Sequence, residues 1–134
     1  MSNLTISQRS VDGITVIDLD GNISIGETNR KLHETLRELV AAGKNRIILN
    51  LKRVRSIDSS GLGEIVAGYS TLKSNGGSLV LVNMPSRVTD LMTITKLYTV
   101  FDVFESESEA LAALQNIQED SGSLATAKAG NSIL

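Results

Sequence analysis

Two nearly continuous runs of apolar residues constrain the fold of this chain more than any other feature. The first extends from Ile47 to Leu51 with Asn50 as its one polar residue, and the second extends from Leu79 to Val82. Strands covered on both faces have this pattern, whereas half-exposed strands alternate apolar and polar residues. The runs therefore predict doubly covered strands of a parallel sheet, with the first near the centre.

The segments around these strands carry apolar residues at helical spacing. Four groups share this spacing: Leu32, Leu36, Leu39 and Val40; Leu62, Ile65, Val66, Tyr69 and Leu72; Val88, Leu91 and Met92; and Leu111, Leu114 and Ile117. Gly43 follows the first group and Asn75-Gly76-Gly77 follows the second, where helix C-termini commonly carry glycine. Each group predicts an amphipathic helix.

Weaker strand signals stand at the two ends of the domain. Thr5 to Gln8 and Ile14 to Leu19 flank Asp12-Gly13, a dipeptide typical of hairpin turns. Val100 to Phe104 indicates a further short strand. The predicted order is ββαβαβαβα, which is an α/β fold with a mixed, mostly parallel sheet of about five strands and helices packed against it.

Length and composition predict one domain. The chain has 134 residues, of which 41% are apolar, and this is enough to bury a core. We assign residues 1–118 to the domain. Residues 119–134 are rich in Ser, Ala and Gly, and we interpret them as a mobile tail because such a segment buries too little surface to offset its ordering entropy.

Charge and apolar content argue against several classes of partner. No stretch approaches the roughly 20 apolar residues that span a bilayer, and the N-terminus has no signal-peptide pattern, so we expect a cytoplasmic protein without a membrane partner. A net charge of −2 gives no general attraction to nucleic acid. The chain has no Cys, which excludes disulfides and cysteine metal sites.

The segment from Ser56 to Glu64 is the candidate functional site, because it follows the central strand at the end where open α/β sheets usually place their sites. One interpretation is structural: Asp58, Ser59 or Ser60 caps the next helix and stabilises it by roughly 1 kcal/mol. Gly61 and Gly63 favour a functional interpretation. Each glycine costs a helix about 0.5–1 kcal/mol, and glycine permits close approach of a partner's backbone.

Catalytic and ligand-binding patterns are missing from this segment. A nucleophile elbow would need Gly-x-Ser-x-Gly, and His33, the one His in the chain, falls in the first predicted helix. A phosphate-binding loop would need a Lys where Glu64 follows Gly63. Asp58 and Glu64 have no third ligand close in sequence. We therefore predict no enzyme activity, no metal and no cofactor.

The hexapeptide Asp58-Ser59-Ser60-Gly61-Leu62-Gly63 after a buried strand resembles the signature of the STAS-domain anti-sigma factor antagonists. The resemblance covers roughly residues 3–117 and includes Gly21, Gly76-Gly77 and the strand that follows. It implies a bacterial phosphoprotein that acts by partner switching. In that family, the serine after the aspartate is phosphorylated by a partner that is both serine kinase and anti-sigma factor, and by position this serine is Ser59.

The resemblance also implies the consequences of this modification. The unphosphorylated protein would bind the anti-sigma factor and free a sigma factor for transcription; the phosphorylated protein would be released until a serine phosphatase restores it. The implied partner-binding residues are those of the hexapeptide, Asp58 to Gly63, together with Ile23 and Ser24. The chain departs from the family here, because Asn22-Ile23-Ser24 stands where many members have a Leu-Asp pair.

Four alternatives stay open at this point. Ser60 could be modified instead of Ser59, and Leu62 could be either a core residue or an anchor on a partner, although its helical register favours the core. Met92 and Leu97 could likewise face a partner groove, but we assign them to the core. The alternative function is a STAS module that binds a partner constitutively, as in a signalling scaffold or a lipid-transport assembly, with Ser59 structural.

Overall fold

The computed structural model describes residues 3–119, and this part of the chain forms five strands, four α-helices and one short 3-10 helix. The strands are β1 (Leu4–Val11), β2 (Ile14–Ile23), β3 (Arg46–Ile57), β4 (Ser78–Val82) and β5 (Asp102–Phe104). The α-helices are α1 (Glu27–Ala41), α2 (Ser59–Ser74), α3 (Ser86–Thr95) and α4 (Glu107–Glu119), and the 3-10 helix is Leu97–Thr99. The predicted order ββαβαβαβα is confirmed.

The strands form one sheet in the order β1-β2-β3-β4-β5. β1 and β2 are antiparallel, and β2, β3, β4 and β5 are parallel to one another. The sheet is therefore mixed and mostly parallel, as predicted, with β3 at its centre. No helix within residues 3–119 has the length and apolar character that crossing a membrane requires.

The predicted limits of the first hairpin and of the last strand were wrong. The first hairpin is longer than expected, because β1 and β2 pair continuously from Leu4 with Gly21 to Val11 with Ile14. The last strand is shorter, since Val100 and Phe101 form a turn and a bend between the 3-10 helix and Asp102. Glu119 still belongs to α4, and the rest of the predicted tail, residues 120–134, lies outside the described residues.

Two apolar layers cover the two faces of the sheet, because alternate residues of each strand point to opposite faces. Helices α1, α2 and α3 pack on one face, and α4 packs on the other. The core under the first three helices includes Ile17, Leu49 and Leu81 from the strands and Leu36, Leu62, Ile65 and Met92 from the helices. The core under α4 includes Val16, Ile48, Val80, Ala110 and Leu114.

A polar network crosses the face that α4 only partly covers. Arg9 lies between two carboxylates: its Nε donates to Asp18 Oδ2 at 2.7 Å, and its Nη2 donates to Glu107 Oε1 at 2.7 Å. Asn50 Nδ2 donates to Asp18 Oδ1 at 2.8 Å, and Asn83 Nδ2 donates to Asn50 Oδ1 at 3.0 Å. The bonds from Arg9 and then Asn50 hold the pKa of Asp18 below its usual value.

The far end of α4 is fixed to the first hairpin. Gln115 Nε2 donates a hydrogen bond to Asp12 Oδ2 at 2.9 Å. Asp12 and Gly13 form the turn between β1 and β2, and both have positive φ, 53° and 81°. The hairpin turn that the dipeptide predicted is therefore also a contact point for the last helix.

Candidate functional site

Asp58 is the N-cap of α2 and ends the long central strand. Its Oδ1 accepts a hydrogen bond from Gly61 N at 2.8 Å, and its own N–H donates to Ile23 O at 3.1 Å. Its Oδ2 accepts a second backbone bond, from Ile25 N, at 3.0 Å. Of the three residues that the sequence offered as caps, Asp58 has this role, so the structural interpretation of this residue is correct.

The two serines after Asp58 have different surroundings. Ser60 is partly buried, and its Oγ accepts a hydrogen bond from Asn29 Nδ2 of α1 at 2.9 Å. Ser59 is the first residue of α2 and is exposed, and its side chain has no hydrogen-bond partner within residues 3–119. Ser59 therefore presents a free hydroxyl group, whereas Ser60 joins two helices.

The two glycines of the segment differ in the space around them. A Cβ on Gly61 would overlap Ile23 O and lie 2.7 Å from Ile23 Cγ2, so this glycine is required by the end of β2 within the same chain. The interpretation that Gly61 leaves room for a partner's backbone was wrong. A Cβ on Gly63 would meet no atom within 4 Å. Gly63 is exposed, and its contact with a partner's backbone stays a prediction.

Besides Gly61, two residues of the predicted partner surface lie inside the protein. The exposed fractions of Ile23 and Leu62 are 0% and 1%, and both residues belong to the core. Their side chains shape the site from below and offer no surface for direct contact. Leu62 is thus the core residue that its helical register favoured.

The loop from β2 to α1 lies beside the start of α2. Ser24 N donates at 3.0 Å to the Oγ1 of Thr28, the second residue of α1. Asn22 Oδ1 accepts from Ser56 Oγ at 2.7 Å. Asn22 thus joins β2 to β3 through a neutral hydrogen bond, in the segment where many family members have the Leu-Asp pair. Ser24 is half-buried.

Ile25 is a candidate site residue that the sequence analysis missed. Its side chain is 78% exposed, although its backbone is held by Asp58. A single exposed apolar residue is common on protein surfaces, and Ile25 is a candidate because the bond to Asp58 places it beside the exposed Ser59. The available signal was an isoleucine between Ser24 and Gly26, in a short polar turn where no core position was expected.

Glu64, the second acidic residue of the segment, is paired with a residue of α1. His33 Nδ1 lies 3.0 Å from Glu64 Oε2, which joins α1 to α2. Asp58 and Glu64 therefore have separate partners and do not form a carboxylate pair. Within residues 3–119, no group of three or more His, Asp or Glu side chains is placed to hold a metal ion.

The family follows from comparison with known proteins. The model of the STAS domain matches residues 5–110, which is most of the chain. This chain belongs to the STAS domain family. The matched range contains the whole sheet except Leu4, together with the loop that presents Ser59.

Relatives of the chain include anti-sigma factor antagonists. The chain is 31% identical over 101 residues to the anti-sigma-B factor antagonist of Bacillus subtilis, which covers 75% of this chain and 91% of that protein. It is 25% identical over 114 residues to the anti-sigma F factor antagonist of Paenibacillus polymyxa, covering 84% and 97%.

A solved structure shows the same fold. The crystal structure of an anti-sigma factor antagonist from Mycobacterium paratuberculosis has a TM-score of 0.74 and 21% identity, and it covers 84% of this chain and 95% of that one. At this identity the likeness concerns the fold. The STAS-type architecture expected from the sequence is therefore confirmed.

Proposed function

We propose that this protein is an anti-sigma factor antagonist whose binding is switched off by phosphorylation of Ser59. In its unphosphorylated form it binds an anti-sigma factor that is also a serine kinase, and a serine phosphatase restores this form after modification. The sigma factor that the anti-sigma factor would otherwise hold is then free for transcription. The protein has a regulatory role and acts in the cytoplasm.

The observation that carries this proposal is the environment of Ser59. Ser59 is exposed, and its hydroxyl group has no partner among the described residues. Ser60 is less accessible, and its Oγ is occupied by Asn29. A kinase that reaches the start of α2 therefore meets the hydroxyl of Ser59 first.

The folded state would tolerate a phosphate at this position. A phosphate adds about −1.5 to −2 charges at neutral pH. At the first position of α2 it lies near backbone N–H groups that have no helical acceptor, and the helix dipole favours an anion there by roughly 0.3–1 kcal/mol. The Ser59 hydroxyl has no hydrogen-bond partner among the described residues, so its modification breaks no hydrogen bond. The cap of α2 is also kept, because Asp58 and not Ser59 accepts from Gly61 N.

The bound state would not tolerate the same phosphate. Docking of a partner over the start of α2 would remove the phosphate from water beside the carboxylate of Asp58, at an effective cost of several kcal/mol unless it is paired. A penalty of about 3 kcal/mol weakens a complex by more than a hundredfold. A local charge can thus control binding without a change of fold.

The first test is intact-mass analysis of the protein purified from its native cell, followed by peptide mapping of residues 56–73. We expect one phosphate on Ser59, lost in the Ser59→Ala variant and retained in the matched Ser60→Ala variant. A phosphate that persists in Ser59→Ala and disappears in Ser60→Ala would assign the modification to Ser60. No phosphate under any growth or stress condition would leave a constitutive binding module as the function.

The second test concerns the partner. The unmodified protein should retain an anti-sigma factor from a lysate of its own cell, identified by mass spectrometry, and Ser59→Asp should retain it at least tenfold less well, which corresponds to about 1.4 kcal/mol. Equal retention by Ser59→Asp and Ser59→Ala would favour constitutive binding.

A further inference from the structure

A groove of about 400 Å³ runs along the surface between α1 and α2. The two helices are parallel, because successive residues of one contact successive residues of the other: Asn29 binds Ser60, and His33 binds Glu64. The groove begins at the second of these pairs and continues away from Ser59 toward the C-terminal ends of both helices.

The floor of the groove is apolar. Leu36 is almost fully buried, and Val40 packs beside it against the core. A Cβ on Gly68 would lie 2.7 Å from Leu36 Cδ1, so glycine at this position allows α2 to lie directly against the leucine. Exposed small residues of α2, Ala67 and Thr71, form the opposite wall and leave the half-buried Val40 accessible above Leu36.

The rim of the groove carries a paired charge at one end and an unpaired positive charge further along. At the end near Ser59, His33 and Glu64 form a hydrogen-bonded pair. Arg37, one turn further along α1, has no ion pair and no side-chain hydrogen bond within residues 3–119. The α2 wall opposite Arg37 carries no acidic residue. An exposed guanidinium therefore stands over an apolar floor.

We propose that this groove binds a single-chain amphiphile with an anionic head, such as a medium-chain carboxylate. The alkyl chain lies on Leu36 and Val40, and the head group accepts hydrogen bonds from Arg37. Glu64 lies at the end of the groove nearest Ser59, where it repels the head group and so sets the direction of the chain. The volume falls in the range of small-molecule sites, which are mostly apolar with few polar groups. This inference does not depend on the proposed role of Ser59.

The test uses the full chain and two probes of equal chain length, dodecanoate and dodecyltrimethylammonium, each below its micelle concentration, in isothermal titration calorimetry. We expect saturable binding of one dodecanoate per chain, at least about tenfold tighter than the cation, because a guanidinium binds a carboxylate through charge-assisted hydrogen bonds. No saturable binding of dodecanoate, or equal affinity for both probes, would overturn the proposal.

Variants locate the site. Arg37→Gln should weaken dodecanoate binding about tenfold, whereas Arg30→Gln, which removes an exposed arginine of α1 outside the groove, should leave it unchanged. Ala67→Phe should abolish binding by filling the groove. If Ala67→Phe does not fold, the two arginine variants still decide the question. Equal affinities of Arg37→Gln and Arg30→Gln would show that dodecanoate binds elsewhere.

Discussion

The carboxylate of Asp58 holds the backbone of Ile25, which lies 33 residues earlier in the chain, through a hydrogen bond of 3.0 Å. Its other oxygen caps α2 at Gly61 N. One side chain thus fixes both the helix that begins at Ser59 and the loop that presents Ile25. The geometry of the proposed partner surface depends on this residue.

Replacement of Asp58 should therefore destabilise the protein more than loss of a helix cap alone. We expect Asp58→Ala to lower the free energy of unfolding by about 2 kcal/mol, because it removes the cap and also the acceptor for Ile25 N. Asp90→Ala, at an exposed position of α3, is the control and should change stability by less than about 0.5 kcal/mol. Urea unfolding measures both. Equal stabilities of the two variants would show that the double contact of Asp58 contributes nothing.

Replacing Gly61 and replacing Gly63 by alanine should change the stability of the fold in opposite directions. Gly61→Ala places a methyl group against Ile23 and should destabilise the fold by about 1–3 kcal/mol. Gly63→Ala points into open space and should stabilise it by about 0.5–1 kcal/mol, because alanine favours the helix. Thermal unfolding distinguishes them. A loss of stability in Gly63→Ala as large as that in Gly61→Ala would contradict the assignment.

Partner binding should depend on Ile25. Ile25→Ser should weaken retention of the anti-sigma factor about tenfold without changing the melting temperature, since the side chain is exposed and its backbone contact remains. Ile94 of α3 is equally exposed, at 78%, and Ile94→Ser is the matched control. Equal losses in both variants would mean that Ile25 has no special place in the interface.

The contact between Arg9 and Asp18 should make stability depend on pH. The pKa of Asp18 is lower in the folded protein, so its contribution is present above the usual Asp pKa of about 4 and is lost as pH falls through the lower folded value. Asp18→Asn should cost about 1 kcal/mol at pH 7, and this difference should disappear in acid, below the lowered pKa of Asp18. Urea unfolding at the two pH values measures it. A constant difference would contradict the linkage.

The order of elements could be predicted because each depends on local sequence. The apolar run from Ile47 to Leu51 predicts a covered strand, and the helical spacing from Leu62 to Leu72 predicts α2, without knowledge of any distant residue. From the sequence, the N-cap of α2 could be any of Asp58, Ser59 and Ser60. It could not be assigned to one of them, since Asp and Ser both cap helices. Asp58 is distinguished by its contact with Ile25, which only the folded chain brings close.

Other features of the site also depend on distant contacts. Gly61 is required by Ile23, 38 residues away in sequence, and a local pattern cannot indicate this. The central strand shows a second limit of local reasoning. Its register with β2 shifts twice, between Asp18 and Asp20 and between Gly21 and Asn22, so a strict alternation of buried and exposed residues fails in the last part of β3.

The contact of Gln115 with Asp12 has a practical consequence for surface-based binding assays. Asp12 lies in the turn before β2, whereas Ser59 follows β3, which is parallel to β2, so the two residues are at opposite ends of the sheet. The end of α4 is therefore directed away from the proposed partner surface. A biotin or a sensor-chip linkage at the Asp12 end of the sheet would hold the molecule with Ser59 and Ile25 facing the solution.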